Sequence, residues 1–232
     1  MTASIPQLSL RDELSLRDEL FLLGHHDDTG QPHVHRQALA LGMAGGVLID
    51  LFLAGRITLD SYGDHRAADR WLRLNSDQVV GDLIADTALA VIHHSRTTPT
   101  VKAFLRSFAD DLYERTRAGL VAAGILRHTA RRRLGGLIRA DAYLATDTKW
   151  AVVARARLRY LAAGREQPDN HTAALAGLVA VLGLADHLYL DDDTATLTAH
   201  LKTIAAQHHR PIREITAAVD AATGDLATAT YR

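Results

Sequence analysis

The chain has 232 residues, a formal net charge of -1 and no cysteine. That length builds one large domain or two small ones with a real core, and without cysteine neither a disulfide nor a thiolate metal site is available. With 47 % hydrophobic and 23 % charged residues the chain has the balance of a folded globular protein, and its near-neutral total argues against a surface that is basic throughout.

The hexapeptide SLRDEL occurs twice in succession, at 9–14 and 15–20. Six residues turn a helix by about 600°, so the two copies face different ways. The second copy runs on into Phe21, Leu22, Leu23 and Gly24 and is expected to dock on the core, with residues 1–14 a loose extension. A helix is predicted over 16–23, stopped at Gly24. Residues 25–34 read as a polar loop, and 37–54 as an apolar helix. Its glycines, Gly42, Gly45 and Gly46, point to close helix packing, because no Lys-Ser/Thr follows to make a phosphate loop. A short strand is expected at 56–60 and helices at 77–94 and 98–123. The latter places Val101, Leu105, Phe108 and Leu112 on one face.

Two extended runs, 125–129 and 137–144, flank a glycine turn at 135–136 and suggest a hairpin. Further helices are predicted at 150–163, 171–190, 194–207 and 211–222. The fold class is mostly α: a single globular helical domain over 15–232, with one or two small β-hairpins, one carrying a basic and apolar tip. The apolar stretches 37–54 and 173–185 read as core helices. The first contains Asp50 and three glycines, and the second is shorter than the ~20 residues a bilayer requires. The first apolar run is not preceded by a positive segment, so no signal peptide is expected and the expected location is cytoplasmic.

Charge is unevenly spread. Residues 115–165 hold eleven Arg, one Lys and two acids, or +10, against -11 for the remainder. Such asymmetry hints at a polyanionic partner. The hairpin concentrates it: Arg131, Arg132 and Arg133 lie beside Leu134, Leu137 and Ile138, with Arg127 and Arg139 nearby. Guanidinium groups match phosphate oxygens bidentately, apolar tip residues suit a lipid interface, and each basic residue near an anionic surface contributes ~1 kcal/mol. Two other readings use the same segment. One is a winged-helix nucleic-acid module, in which phosphate contacts supply the affinity, although Asp110, Asp111 and Glu114 would repel phosphates. The other is a soluble protein that self-associates through the hairpin.

Thirteen histidines invite a metal reading. His25, His26, Asp27 and Asp28 are consecutive, however, and metal ligands converge from spaced positions. His33 and His35 would share one face of a strand. No H-E-x-x-H, G-x-S-x-G or Walker A motif occurs, so neither a metal, a cofactor nor an enzymatic activity is expected.

The run from Leu16 to Gly24, the turn Asp28, Thr29, Gly30, and the segment from Gly45 to Ile57 together resemble the Golgi phosphoprotein 3 family. Residues 120–126 match its later junction between helix and hairpin. The likeness extends over most of the chain from Leu14 onward. An Arg-for-Lys bias, 23 against three, suggests a bacterial member. The resemblance implies a single helical domain on a peripheral membrane protein that binds phosphatidylinositol 4-phosphate, with an apolar hairpin that enters the membrane and mediates homo-oligomer contacts. In alignment, His35 and Ala44 stand where the family's headgroup pocket has a tryptophan and an arginine. Asp110 and Tyr113 replace two further arginines. His35, Arg36, Arg115 and Arg117 are therefore the headgroup candidates in this chain.

Overall fold

A computed structural model of the chain describes residues 14–60, 69–133, 138–165, 167–188, 193–207 and 209–230. The Ser15 hydroxyl accepts a hydrogen bond from the Asp18 N–H and so caps α1 (Leu16–Leu23), which ends at Gly24. Leu16, Leu20, Phe21 and Leu23 are buried, so the second copy of the repeat docks on the core. Most of the first copy lies outside the described residues.

The centre of the molecule is α2 (Arg36–Leu53). By length and composition it is apolar enough to cross a membrane. Here it is the core helix, packed by α1, α3 (Leu83–His94), α4 (Val101–Ala122), α6 (Asn170–Val181) and α8 (Arg210–Thr230). Its glycines let those partners approach. A Cβ on Gly45 would lie 2.5 Å from a Val219 methyl of α8, and one on Gly42 would lie 2.5 Å from a Leu182 methyl. The remaining helices, α5 (Lys149–Ala162) and α7 (Thr194–Ala206), close the bundle. One continuous aliphatic core extends from Leu16 to Ala222.

Two small antiparallel sheets complete the fold. β1 (Ile57–Leu59) pairs with β2 (Leu72–Leu74), Ile57 opposite Leu74. β2 escaped the sequence reading because three residues carry too little alternation to register. β3 (Leu126–Arg133) and β4 (Ile138–Ala145) form the expected hairpin, running from Leu126 opposite Ala145 to Arg133 opposite Ile138. Leu134 and Leu137 lie outside the described residues. Arg131, Arg132, Arg133 and Ile138 are placed by strand register alone, so the tip remains an expectation.

Three helix boundaries and one strand reading differ most from expectation. The helix predicted over 77–94 begins at Leu83, because the Asp82 carboxylate caps it through the Ala85 N–H at 2.8 Å. The helix predicted over 171–190 stops at Val181. Gly183 then takes φ 68°, and a 3₁₀ turn, Ala185–Leu188, follows. α8 runs to Thr230 rather than Ala222. His33 and His35 share no strand: His33 lies in a bend, and His35 caps α2, with Nδ1 accepting from the Gln37 N–H at 3.2 Å.

Candidate functional site

A cleft of about 160 Å³ opens where α1, the loop after it, α2, α4 and β4 meet. The end of α1 contributes Phe21, and the loop contributes His25, Gly30 and Gln31. Arg36 comes from the first turn of α2, Tyr113 and Arg117 from α4, and Asp141 and Tyr143 from β4. Each pairing has a local cause. Tyr113 and Arg117 are one helical turn apart and so share a face. Asp141 and Tyr143 are two residues apart on a strand and so share a face too. Gly30 adopts φ 64°, and a Cβ there would stand 2.5 Å from the Tyr143 carbonyl oxygen. The loop tip therefore rests directly on β4 and closes one wall.

Both cations lie over aromatic rings. The Arg36 guanidinium carbon is 5.1 Å from the Tyr113 ring centroid, and that of Arg117 is 4.2 Å from Tyr143. Arg117 also forms an ion pair with Glu114. Opposite them Asp141 is solvent-exposed and 2.9 Å from His128 Nε2. The cleft thus presents two oriented guanidinium groups and one carboxylate acceptor. Such a set has the chemistry to meet an anion that also carries hydroxyl groups.

The floor is uncharged. His25 is buried, stacked on Phe21 with ring centroids 4.2 Å apart. Its Nδ1 lies 2.6 Å from the Phe21 carbonyl oxygen and its Nε2 2.6 Å from the Tyr113 hydroxyl. A carbonyl only accepts, so Nδ1 carries the proton and Nε2 accepts from Tyr113. Burial, and after it the charges of Arg36 and Arg117, pushes His25 down to about 4, which keeps the ring neutral at ordinary pH. Burial likewise raises the Tyr113 hydroxyl. The Tyr113 proton is committed to His25, so the donors left for a ligand are the guanidinium groups and the Gln31 amide.

Arg36 and Arg117, two of the four headgroup candidates, come together here. His35 does not line the cleft, being occupied as the cap of α2. Arg115 does not line it either. It sits about 200° around α4 from Arg117, over the Phe108 ring at 5.6 Å and 3.6 Å from Asp111. Ala44 is fully buried and Asp110 exposed, both away from the cleft. Sequence reasoning missed His25, Gln31, Asp141 and Tyr143. One signal was available: Asp141 is one of two acids in the strongly basic block.

That block is also less bare than its charge suggests. Arg155 donates twice to the Asp27 carboxylate, at 2.7 and 2.8 Å, and Arg157 pairs with buried Glu19. Among the described residues no group of three or more His, Asp or Glu is placed to hold a metal ion. The acidic–aliphatic opening helix, the glycine-rich central helix and the junction of α4 with the hairpin all fall within residues 16–226, which match the family model for Golgi phosphoprotein 3 (GPP34), and the chain belongs to that family.

Proposed function

We propose that this Golgi phosphoprotein 3-like protein is a non-enzymatic adaptor that binds a phosphate-bearing lipid headgroup of the phosphoinositide class. It does so at the inner face of a membrane, from the cytoplasm. The observation that carries this reading is the convergence of Arg36 and Arg117 on one cleft, each over a tyrosine ring. Two guanidinium groups grip phosphate oxygens, while Asp141 and Gln31 accept hydroxyls of the ring that bears the phosphate. The cleft reaches this cation pair by a different route from the family's: an arginine one residue beyond His35, and another one turn beyond Tyr113. The hairpin tip, with Leu134, Leu137 and Ile138, is proposed to enter the lipid interface beside it and to mediate any self-association.

Co-sedimentation with phosphatidylcholine vesicles, with and without phosphatidylinositol 4-phosphate, tests this. Binding should require the phosphoinositide and weaken with salt. The double variant R36A/R117A should lose about tenfold or more, whereas R115A should bind like the parent. Phosphoinositide-independent binding, or loss in R115A equal to that in the double variant, overturns the cleft. Binding to DNA but not to vesicles would move the protein to the nucleic-acid class.

A further inference from the structure

Next to the cleft, three imidazoles form a stack for which the headgroup reading has no use. The His33 ring is stacked on that of His187, centroids 3.9 Å apart with planes at 10°, and the His26 ring packs against His33 at 3.9 Å, tilted by 53°. His26 and His187 are 6.3 Å apart. Both ring nitrogens of His33 are shielded from solvent and have no hydrogen-bond partner among the described residues. The half-buried His33 ring is held chiefly by packing against the other two imidazoles, with the His25 backbone as its one polar neighbour among the described residues.

The stack is tied to the loop that walls the cleft. The His26 N–H donates to the Gln31 carbonyl at 2.9 Å, the Gly30 N–H to the His26 carbonyl at 2.9 Å, and the His33 N–H to the Gly24 carbonyl at 2.8 Å. His26 and His33 thus form the stem of a loop whose tip, Gly30 and Gln31, lines the cleft. His187 belongs to the 3₁₀ turn after α6, so the stack fastens the loop stem to a separate element.

We propose that the His26–His33–His187 stack is a pH-sensitive latch: neutral imidazoles hold the 26–33 loop against β4, and protonation in mild acid parts the rings and frees the cleft wall. The regulatory consequence rests on the headgroup reading, but the latch itself does not. A proton added to His33 places a cation between two imidazoles at van der Waals distance, with only the His25 backbone to favour it. Burial, then His187, His26 and His25, brings His33 down to about 4, well below the ordinary histidine value near 6.5. The other charged groups around the stack give little relief. On the loop, Asp27 is held by Arg155 of α5, and Asp28 is exposed. On the 3₁₀ turn Asp186 is exposed. On α1, Glu19 is taken by Arg157 and His171. At the start of α2, Arg36 adds a further positive charge.

The closed state resists protonation and the open state does not. Linkage therefore raises the ratio of open to closed loop by about tenfold between about pH 7.5 and about pH 5.5, for His33 alone. The test is amide hydrogen exchange at Gly30 and His33 across that range, corrected for intrinsic rates, on the full chain and on H33F and H187F. Each variant keeps an aromatic ring at the substituted position, and H33F alone removes the His33 proton site. Opening should rise about tenfold in the parent, stay flat in H33F, and rise less than in the parent in H187F, where His33 still titrates without the imidazole stacked on it. A flat parent, or a rise in H33F equal to the parent's, overturns the latch. Vesicle binding read in parallel separates the two ideas. The phosphate's own protonation affects every protein alike, so a steeper loss of binding in the parent than in H33F reports the latch. Acid-driven opening with no phosphoinositide binding at any pH retains the latch and rejects the headgroup reading.

Discussion

Tyr113 serves two neighbours at once: its ring lies under Arg36 and its hydroxyl donates to His25. Replacing it by phenylalanine separates the roles. Y113F strands the buried Nε2 of His25, which costs about 1–3 kcal/mol, yet leaves an aromatic face beneath the guanidinium. Urea unfolding should show the stability loss while phosphoinositide binding changes by less than about threefold. A variant as stable as the parent would remove the hydrogen bond from the account. This residue also marks how far sequence reaches. The resemblance drew attention to position 113, where this chain has no cation, and Tyr113 lines the cleft together with Arg117, one turn away on the same face. Arg115 drew equal weight from its nearness in sequence, which conceals its rotation to the other side of α4. Asp141 and Tyr143 depend on how β4 is set against a loop more than a hundred residues earlier, and no local pattern encodes that.

Elements were legible where a cap or a period announced them. Ser15 receives the backbone N–H that a helix start leaves unpaired, as its capping pattern implies, whereas the caps at Asp82 and Thr100 went unread and those two helices start later than predicted. The run of leucines, alanines and valines between 173 and 184 hid the end of α6, because apolar residues continue past the glycine that breaks it. Contacts between elements were invisible, and two carry predictions. Gly30 joins the loop to β4 at a positive φ with no room for a Cβ. G30A should therefore cost about 1–2 kcal/mol and weaken phosphoinositide binding at pH 7, where the histidine stack is closed; unchanged affinity would detach the loop from the site. Glu19, 3 % exposed, faces Arg157 of α5 and His171 of α6 at once. E19A removes the buried carboxylate and with it the charged hydrogen bonds to Arg157 and His171, which are each about a quarter exposed, and should destabilise by about 1–3 kcal/mol, read as a lowered urea midpoint. A loss below about 1 kcal/mol would place that pair in the weak class of surface ion pairs.

Over the whole molecule, the split between a +10 block and its acidic remainder is partly an internal arrangement. Arg155 and Arg157 of the block reach back to Asp27 and Glu19 near the start of the chain, fastening α5 to the first helix and its loop. Three other groups set how stability responds to acid. His25 and His33 are both lowered to about 4, chiefly by burial. Between about pH 5 and 6.5 the unfolded chain therefore protonates them and the closed native state does not. Their contribution to stability is fully present above the unfolded value and is lost as pH falls. Asp50 acts in the opposite sense. Its carboxylate accepts from the Leu16 N–H at 3.1 Å, and burial, offset by the His171 charge and that hydrogen bond, raises it to about 7. In the same window native Asp50 holds a proton that the unfolded chain has released, so falling pH favours the native state there. Two groups against one leave a net uptake of about one proton on unfolding, reduced by the partial solvent access of His33. Stability should thus decline gently from pH 6.5 to pH 5. Asn at position 50 imitates the protonated acid and still accepts from Leu16, but no longer titrates. D50N should steepen the decline to about two protons and make the protein more stable than the parent above about pH 7.5. Urea denaturation at half-unit pH steps measures both slopes, and parallel curves for parent and D50N would show that Asp50 is ionised in the native state.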